Sequence, residues 1–533
     1  MSRTTISERG EGDGAGEPEE RAAAGGGAGA GKPLRVPGGV ALVVAAGAAA
    51  LLSVGAFLGL YVRPTSDDWC ALWKARDMGV LGITSDFYLT QNGRVTNAFL
   101  TGLVYSDGMR GPKLLPAFLV VALGAGLFLL ARAALRALRL PFPAPVVVAA
   151  VLVLEALLFF AGTRSYQVLL WAPATISHTF PCVLGAWAVL GAVWAARARR
   201  RWARGAAVGS AVVLGTAAGT LSEPFVAMSG LIAAAAGVLC LPRLGLARDR
   251  FASIWCAAWC AGLLIGLVLL STSPGARWRR AQQPERPLTP EELGETLRDW
   301  ARMWETILGQ WAYAGALAAG VLLGLALAFA SPPRPAAGGR LPKGAVPALA
   351  VLPVPLIALG SLVAAYGLRG GYGESGWTYA RTWTSFLVPF LIALCGYGTW
   401  LGHRAGRRLA ARPAPGGATA PGPAATAGPT VPDGLRIARL AAVVAAGAVA
   451  VACTAALVAP VQTMTTRTVA RSLAWDRQDA RIRAEAAAGA REATYRPLFI
   501  GGLAEPFFTP VYERDWAAQC AAAHYGVDRL NRP

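Results

Sequence analysis

The sequence predicts an all-α polytopic membrane protein, and three observations carry that expectation. Of the 533 residues, 55% are hydrophobic. They gather in runs that repeatedly reach about 20 residues, the length of helix that crosses a hydrocarbon core of roughly 30 Å. The loops between the runs fall into two alternating sets, one strongly basic and one nearly balanced, as a chain threading a membrane requires.

Residues 1–35 are rich in Gly, Ala and Glu and hold almost nothing large and apolar, so they are expected to form a disordered cytoplasmic tail. The tail is too long and too acidic for the start of a signal peptide, and the first apolar run reads as a retained span. About eleven spans follow, at 39–62, 114–131, 143–162, 180–196, 206–222, 225–241, 251–271, 307–330, 344–366, 383–401 and 440–461. Lys32 and Arg35 favour a cytoplasmic amino terminus, which leaves the carboxy-terminal segment outside. Glu223-Pro224 interrupts one long apolar stretch. Two spans turning there at the outer face keep every later loop on the side its charges require.

The inner loops so defined hold 20 Lys and Arg against two acids, Asp249 and Asp433, while the outer segments hold 25 against 20 acids. The net charge of +20 is thus a topology signal, and nucleic-acid binding is not expected. The chain divides into the tail, a transmembrane domain at 36–461, and an extracytoplasmic α(+β) domain at 462–533. Within the transmembrane domain lie a long first outer loop at 63–113 and an Ala/Pro/Gly-rich inner linker at 411–434. In the last domain, WDRQDARIRAEAAAGARE and ERDWAAQCAAAHYG read as helices and YRPLFIGGL as a short strand. Eight cysteines with no CxxC pair and only three histidines, His178, His403 and His524, support no metal site.

The unusual polar residues fall on the outer face. Asp67 and Asp68 open the first loop, and adjacent carboxylates at a membrane surface repel each other and lose solvent. Their catalytic reading is a base that takes a proton from an acceptor hydroxyl, beside a neighbour that orients the sugar or binds a metal; the alternative is a helix cap. Arg94, in a Gln91-Asn92-Gly93-Arg94 turn, is either a ligand or part of an ordinary turn. Glu223, at the rim of a span, either contacts substrate or pairs with a buried arginine; Glu155 carries the same cost within VLVLEALLFF. Arg277, Arg279 and Arg280, beside Trp278, suit a lipid-linked phosphate or simply anchor the loop among headgroups, and Arg381 adds a further cation.

The SDDWC pair, the QNGR turn, the SEP acid and the SPGAR loop among many spans resemble the polytopic type-C (GT-C-like) membrane glycosyltransferases, in particular an uncharacterised bacterial membrane family related to them. The carboxy-terminal DWAAQCAAAHYGV is similar to the end of that family's members, so the likeness runs from Val36 onward. It implies a sugar moved from a polyprenyl-phosphate donor to an envelope polysaccharide, glycolipid or protein, with inversion, at the outer face of the plasma membrane. Asp67 or Asp68 would be the base, and Arg277 and Arg381 would stabilise the leaving phosphate. Ala276 stands where a polar residue is expected. The likeness leaves a divalent cation as the open cofactor. Cys70 and Cys520 both fall on the oxidising side, where a disulfide would pin the tail domain to the first loop. The rival class is a multi-span transporter or lipid flippase for envelope precursors, for which intramembrane acids such as Glu155 are typical.

Overall fold

A computed structural model describes residues 36–243, 247–282, 289–330, 350–411 and 433–533. The expected tail at 1–35 and nearly all of the 411–434 linker lie outside these residues. The fold is almost entirely helical: α1 Val36–Leu58, α2 Asp68–Asp86, α3 Val95–Tyr105, α4 Arg110–Ala137, α5 Ala144–Phe160, the single turn α6 Ala172–Ala174, α7 Phe180–Arg197, α8 Arg201–Gly219 and α9 Glu223–Leu239. There follow α10 Arg250–Thr272, α11 Pro274–Ala281, α12 Pro290–Leu308, α13 Ala314–Ala330, α14 Pro353–Tyr372, α15 Thr384–Ala411, α16 Asp433–Ala455, α17 Val458–Ala487 and α18 Trp516–Tyr525. Eight described helices are long and apolar enough to cross a membrane. The stretches at 143–162 and 225–241 form the shorter apolar helices α5 and α9. The stretch at 206–222 lies in α8, whose first turn is made basic by Arg201 and Arg204.

Apolar composition puts these helices in the bilayer, and small residues decide how they pair, because no hydrophobic effect separates helix from lipid. Gly320 and Gly324 of α13 face Gly398 and Gly402 of α15. A Cβ on any of the four would lie 2.1–2.2 Å from a carbonyl oxygen of the opposite helix. Gly215 and Gly219 of α8 meet Gly262 and Gly266 of α10 in the same way. Two separate crossings thus rest on glycines spaced four apart. Around the first, α1, α5, α13 and α16 build the main apolar core, including Leu52, Leu157, Phe159 and Ala316.

The expected span at 307–330 is shorter than the sequence implies. Residues up to Leu308 finish α12, an amphipathic helix with acids in its first turn, and the chain turns at Trp311–Tyr313 before α13. The loop expected at 63–113 also has structure of its own, since α2 and α3 fill most of it.

The tail domain departs from its reading in one respect. YRPLFIGGL is not a strand; the only described strands are β1 Glu492–Thr494 and β2 Arg529–Asn531, paired in parallel. Tyr495 closes the ladder, its amide donating to the Asn531 carbonyl at 2.8 Å, and buries its ring beside Trp69. Trp69 belongs to the first loop, yet it is the centre of the tail's core. It is fully buried, with Trp475, Tyr495 and Tyr525 rings at 6.2, 5.9 and 5.7 Å. The Cys70–Cys520 disulfide, with Cα atoms 4.8 Å apart, joins α2 to α18 next to it.

Candidate active site

The two adjacent aspartates end in opposite surroundings. Ser66, in the left-handed region at φ 53, turns the chain just before them. Asp68 is 1% exposed, and its carboxylate accepts hydrogen bonds from the Tyr105 hydroxyl and, at 3.0 Å, from the Thr65 amide. Burial pushes it up to about 7. Asp67 is exposed and opens into a cavity walled by protein. The desolvating effect of those walls raises its pKa, while the charges of Arg381, Arg279 and Arg94 oppose the rise.

The loop that carries both is pinned from behind by the tail domain. Arg471 donates from Nη2 to Glu505 Oε1 at 2.7 Å and to the Pro64 carbonyl at 2.7 Å, and from Nη1 to the Arg63 carbonyl at 3.2 Å. Glu505 also accepts from Thr65 Oγ1 at 2.5 Å and from the Tyr495 hydroxyl at 3.0 Å. Arg63 pairs with Asp476 at 2.6 Å. Sequence reading missed Arg471 and Glu505. Both lie in the last 63 residues of the chain, about 400 residues from the loop they hold, and no local pattern links them.

The cavity in front of Asp67 has a volume of about 590 Å³. Its walls come from the first loop (Gln91, Asn92, Arg94), the segment before α7 (Trp171, Ser177, His178), Arg279, the α14–α15 connection (Tyr372, Tyr379, Arg381) and the tail (Gly502 to Ala504, Trp516). Three arginines therefore converge on the space into which Asp67 opens. Arg381 is preset: it donates to Gln167 Oε1 at 2.8 Å and lies 5.1 and 4.7 Å from the rings of Trp171 and Tyr379.

The QNGR and SPGAR motifs prove to be two halves of one joint. Gly93, at φ 73, packs so tightly on Ser273 that a Cβ would fall 2.0 Å from its hydroxyl, and a Cβ on Gly275 would fall 2.6 Å from the Gln91 amide. Ser273 caps α11 by accepting from the Ala276 amide at 3.1 Å. Ala276 is buried in this joint and lines a second chamber with a methyl group, which offers no hydrogen bond to a phosphate. The helical turn then sorts the arginines. Arg279 lines both the cavity and the second chamber and Arg280 the second chamber alone, while Arg277 and Trp278 line neither.

Arg94 and Glu223 form an ion pair, with Nη2 2.8 Å from Oε2 and side chains 23% and 38% exposed. The pair stands at the passage into the second chamber, of about 530 Å³, which shares Asn92, Arg94, His178, Arg279 and Tyr372 with the first. The far walls of that chamber are mostly apolar: Pro224, Val226 and Ala227 of α9, Leu267 and Leu270 of α10, Val363 and Ala364 of α14. His178 joins both chambers with its Nδ1 buried and unpartnered, a site residue that its sequence context does not single out. Among the described residues, no three His, Cys, Asp or Glu side chains cluster as metal ligands would.

The chain matches no protein-family model, and no curated protein or solved structure shows significant similarity to it. The site must be read from its own chemistry.

Proposed function

We propose that this protein is a membrane glycosyltransferase that moves a sugar from a polyprenyl-phosphate donor to a cell-envelope acceptor at the outer face of the plasma membrane. The observation that carries the reading is a carboxylate facing three arginines in a cavity that continues into an apolar-walled chamber. In the proposed topology the chain crosses the membrane eleven times in a GT-C-like arrangement, with the amino terminus cytoplasmic and the tail domain outside.

The reaction has two charge problems, and each has a group suited to it. The acceptor oxygen attacks the anomeric carbon, a new C–O bond forms, and the bond to the phosphate oxygen breaks. The acceptor proton passes to Asp67, whose raised pKa makes it a better base than an ordinary carboxylate. The departing phosphate carries the charge away and is held by Arg279 and Arg381, with Arg94 beside them. Asp68 is then a positioning residue. Its hydrogen bonds to Tyr105 and Thr65 hold the turn that presents Asp67. The second chamber takes the first isoprene units of the donor, and the Arg94–Glu223 pair marks the boundary between headgroup and chain.

The test is turnover of a panel of radiolabelled polyprenyl-phosphate sugars by purified protein, wild type beside Asp67→Asn. Sugar release that requires Asp67 supports the reading. Folded protein that turns over no donor rejects it in favour of the carrier class. For that class the specific observation is Glu155, 1% exposed within α5 with both carboxyl oxygens unpartnered.

A further inference from the structure

The cavity is chemically lopsided. The end it shares with the second chamber holds Arg94 and Arg279. The end built by the start of α2 and the tail domain has no arginine in its lining: it holds Ser66, Asp67, Ala71, the Gly502–Ala504 segment and the indole of Trp516, with Arg164 donating to the Gly502 carbonyl at 3.4 Å. Trp516 is 37% exposed although it begins α18, where Asp515 caps the helix by accepting from the Ala518 amide at 2.8 Å. Its ring packs on Phe508, itself 43% exposed, with centroids 5.5 Å apart. Trp516 thus lines the polar cavity with part of its ring in solvent, and Phe508 extends that aromatic surface outward from it.

The backbone is constrained to present them. Phe507 sits at φ 70, a conformation a bulky non-glycine residue adopts only when its surroundings impose it. Phe507 packs inward against the tail core around Trp69, and Phe508 is turned outward. Glu505, buried and paired with Arg471, fixes the loop on one side, and Pro506 and Pro510 stiffen it. The disulfide from Cys520 to Cys70 holds the helix under Trp516 against the turn that carries Asp67. An exposed aromatic pair, one ring held by the constrained loop after Phe507 and the other within one helical turn of the Cys520 disulfide, is built for contact and not for packing.

We infer that Phe508 and Trp516 form a platform for a saccharide acceptor, the sugar chain stacking there so that its terminal hydroxyl reaches Asp67. The C–H face of a pyranose or furanose ring is apolar and packs on an aromatic ring, while its hydroxyls take hydrogen bonds from neutral groups such as Ser66 and the Gly502–Ala504 backbone. A lipid acceptor would compete with the donor chain for the apolar-walled second chamber, and an anionic one would be repelled by Asp67 and drawn to the arginines that hold the donor phosphate. The acceptor is therefore a neutral oligosaccharide or polysaccharide terminus. This assignment of the acceptor rests on the transferase reading above.

The experiment is binding of purified full-length protein to an array of neutral envelope-type oligosaccharides (glucans, mannans, galactans and arabinans), using wild type, Trp516→Ala, Trp516→Phe, Phe508→Ala and, as an exposed tryptophan that lines neither chamber, Trp278→Ala. The expected result is binding to at least one glycan class that weakens tenfold or more in Trp516→Ala and Phe508→Ala, survives in Trp516→Phe, and is unchanged in Trp278→Ala. Phe508→Ala, outside the tail core, decides the matter if Trp516→Ala fails to fold. Wild-type protein that binds none of the glycans, or alanine variants that bind like wild type, overturns the platform. Glycan binding that needs Trp516 in a protein with no donor turnover leaves the platform standing and removes the transferase.

Discussion

Two regions of this molecule use the same chemical parts for opposite ends. At the cavity, Asp67 opens toward arginines, and Arg94 pairs with Glu223 with both side chains partly exposed. Behind it, Asp68 is buried against Tyr105, and Arg471 pairs with Glu505 at exposures of 5% and 0%. One aspartate and one arginine–glutamate pair stand on each side of the same turn. Their surroundings separate the roles: groups that water and ligand can reach are free to act, and groups sealed from both can only hold.

The largest expected effect falls on the sealed pair. Glu505→Leu strands Arg471 in a dry site, and breaking such a pair costs about 3–5 kcal/mol. The thermal unfolding midpoint in detergent should drop accordingly, and a midpoint within a degree of wild type would break the comparison. The mirror case is Asp67→Asn, which should lower donor turnover by about 10²–10⁴-fold with no loss of thermal stability. A variant that loses stability instead would move Asp67 into the structural set.

Cys520→Ser comes next. Removing the link between α18 and α2 should cost about 2–4 kcal/mol of tail-domain stability and expose the tail to limited proteolysis ahead of the transmembrane helices. Arg94→Leu should destabilise by less than about 1 kcal/mol, because its partner keeps access to water. Its effect should appear as weaker donor binding, measured as a raised KM.

The smallest effects are in pH. Turnover should fall as pH drops through a midpoint above the ordinary aspartate value of 3.8, because Asp67 must be ionised to act as base. Asp68 has a folded pKa of about 7 against 3.8 unfolded. Its burial therefore favours the folded state fully below 3.8 and ceases to do so as pH rises through about 7. Between pH 5 and 8 the wild-type unfolding midpoint should fall more steeply than that of Asp68→Asn.

Much of this arrangement is legible along the chain. Runs of Ala, Leu and Val fix where helices enter the bilayer, since a backbone in lipid must satisfy its own hydrogen bonds. The Asp67-Asp68 pair and the position of Arg381 mark the cavity, because charged groups at a membrane face need a reason to be there. The SPGAR loop was misleading in part. Its Ser273 and Gly275 serve a helix joint with Gly93 and Gln91, and of its arginines Arg277 points away from the cavity while Arg279 lines it. The helix phase that sorts them depends on where α11 starts, and that is set by the joint.

By itself, the sequence determined the helical membrane class, the polar loops between the apolar runs and the acidic pair, because these follow from composition, from spacing of about 20 residues, and from charge. Only the tertiary structure decided which aspartate opens to the cavity, which glutamate pairs with which arginine, and that Trp69 of the first loop is the centre of the tail's core. Those outcomes depend on contacts beyond the reach of local pattern: Arg471 and Glu505 are 34 positions apart, Arg94 and Glu223 are 129 apart, and Cys70 and Cys520 are 450 apart. Burial is a property of such contacts, and burial assigned the roles here.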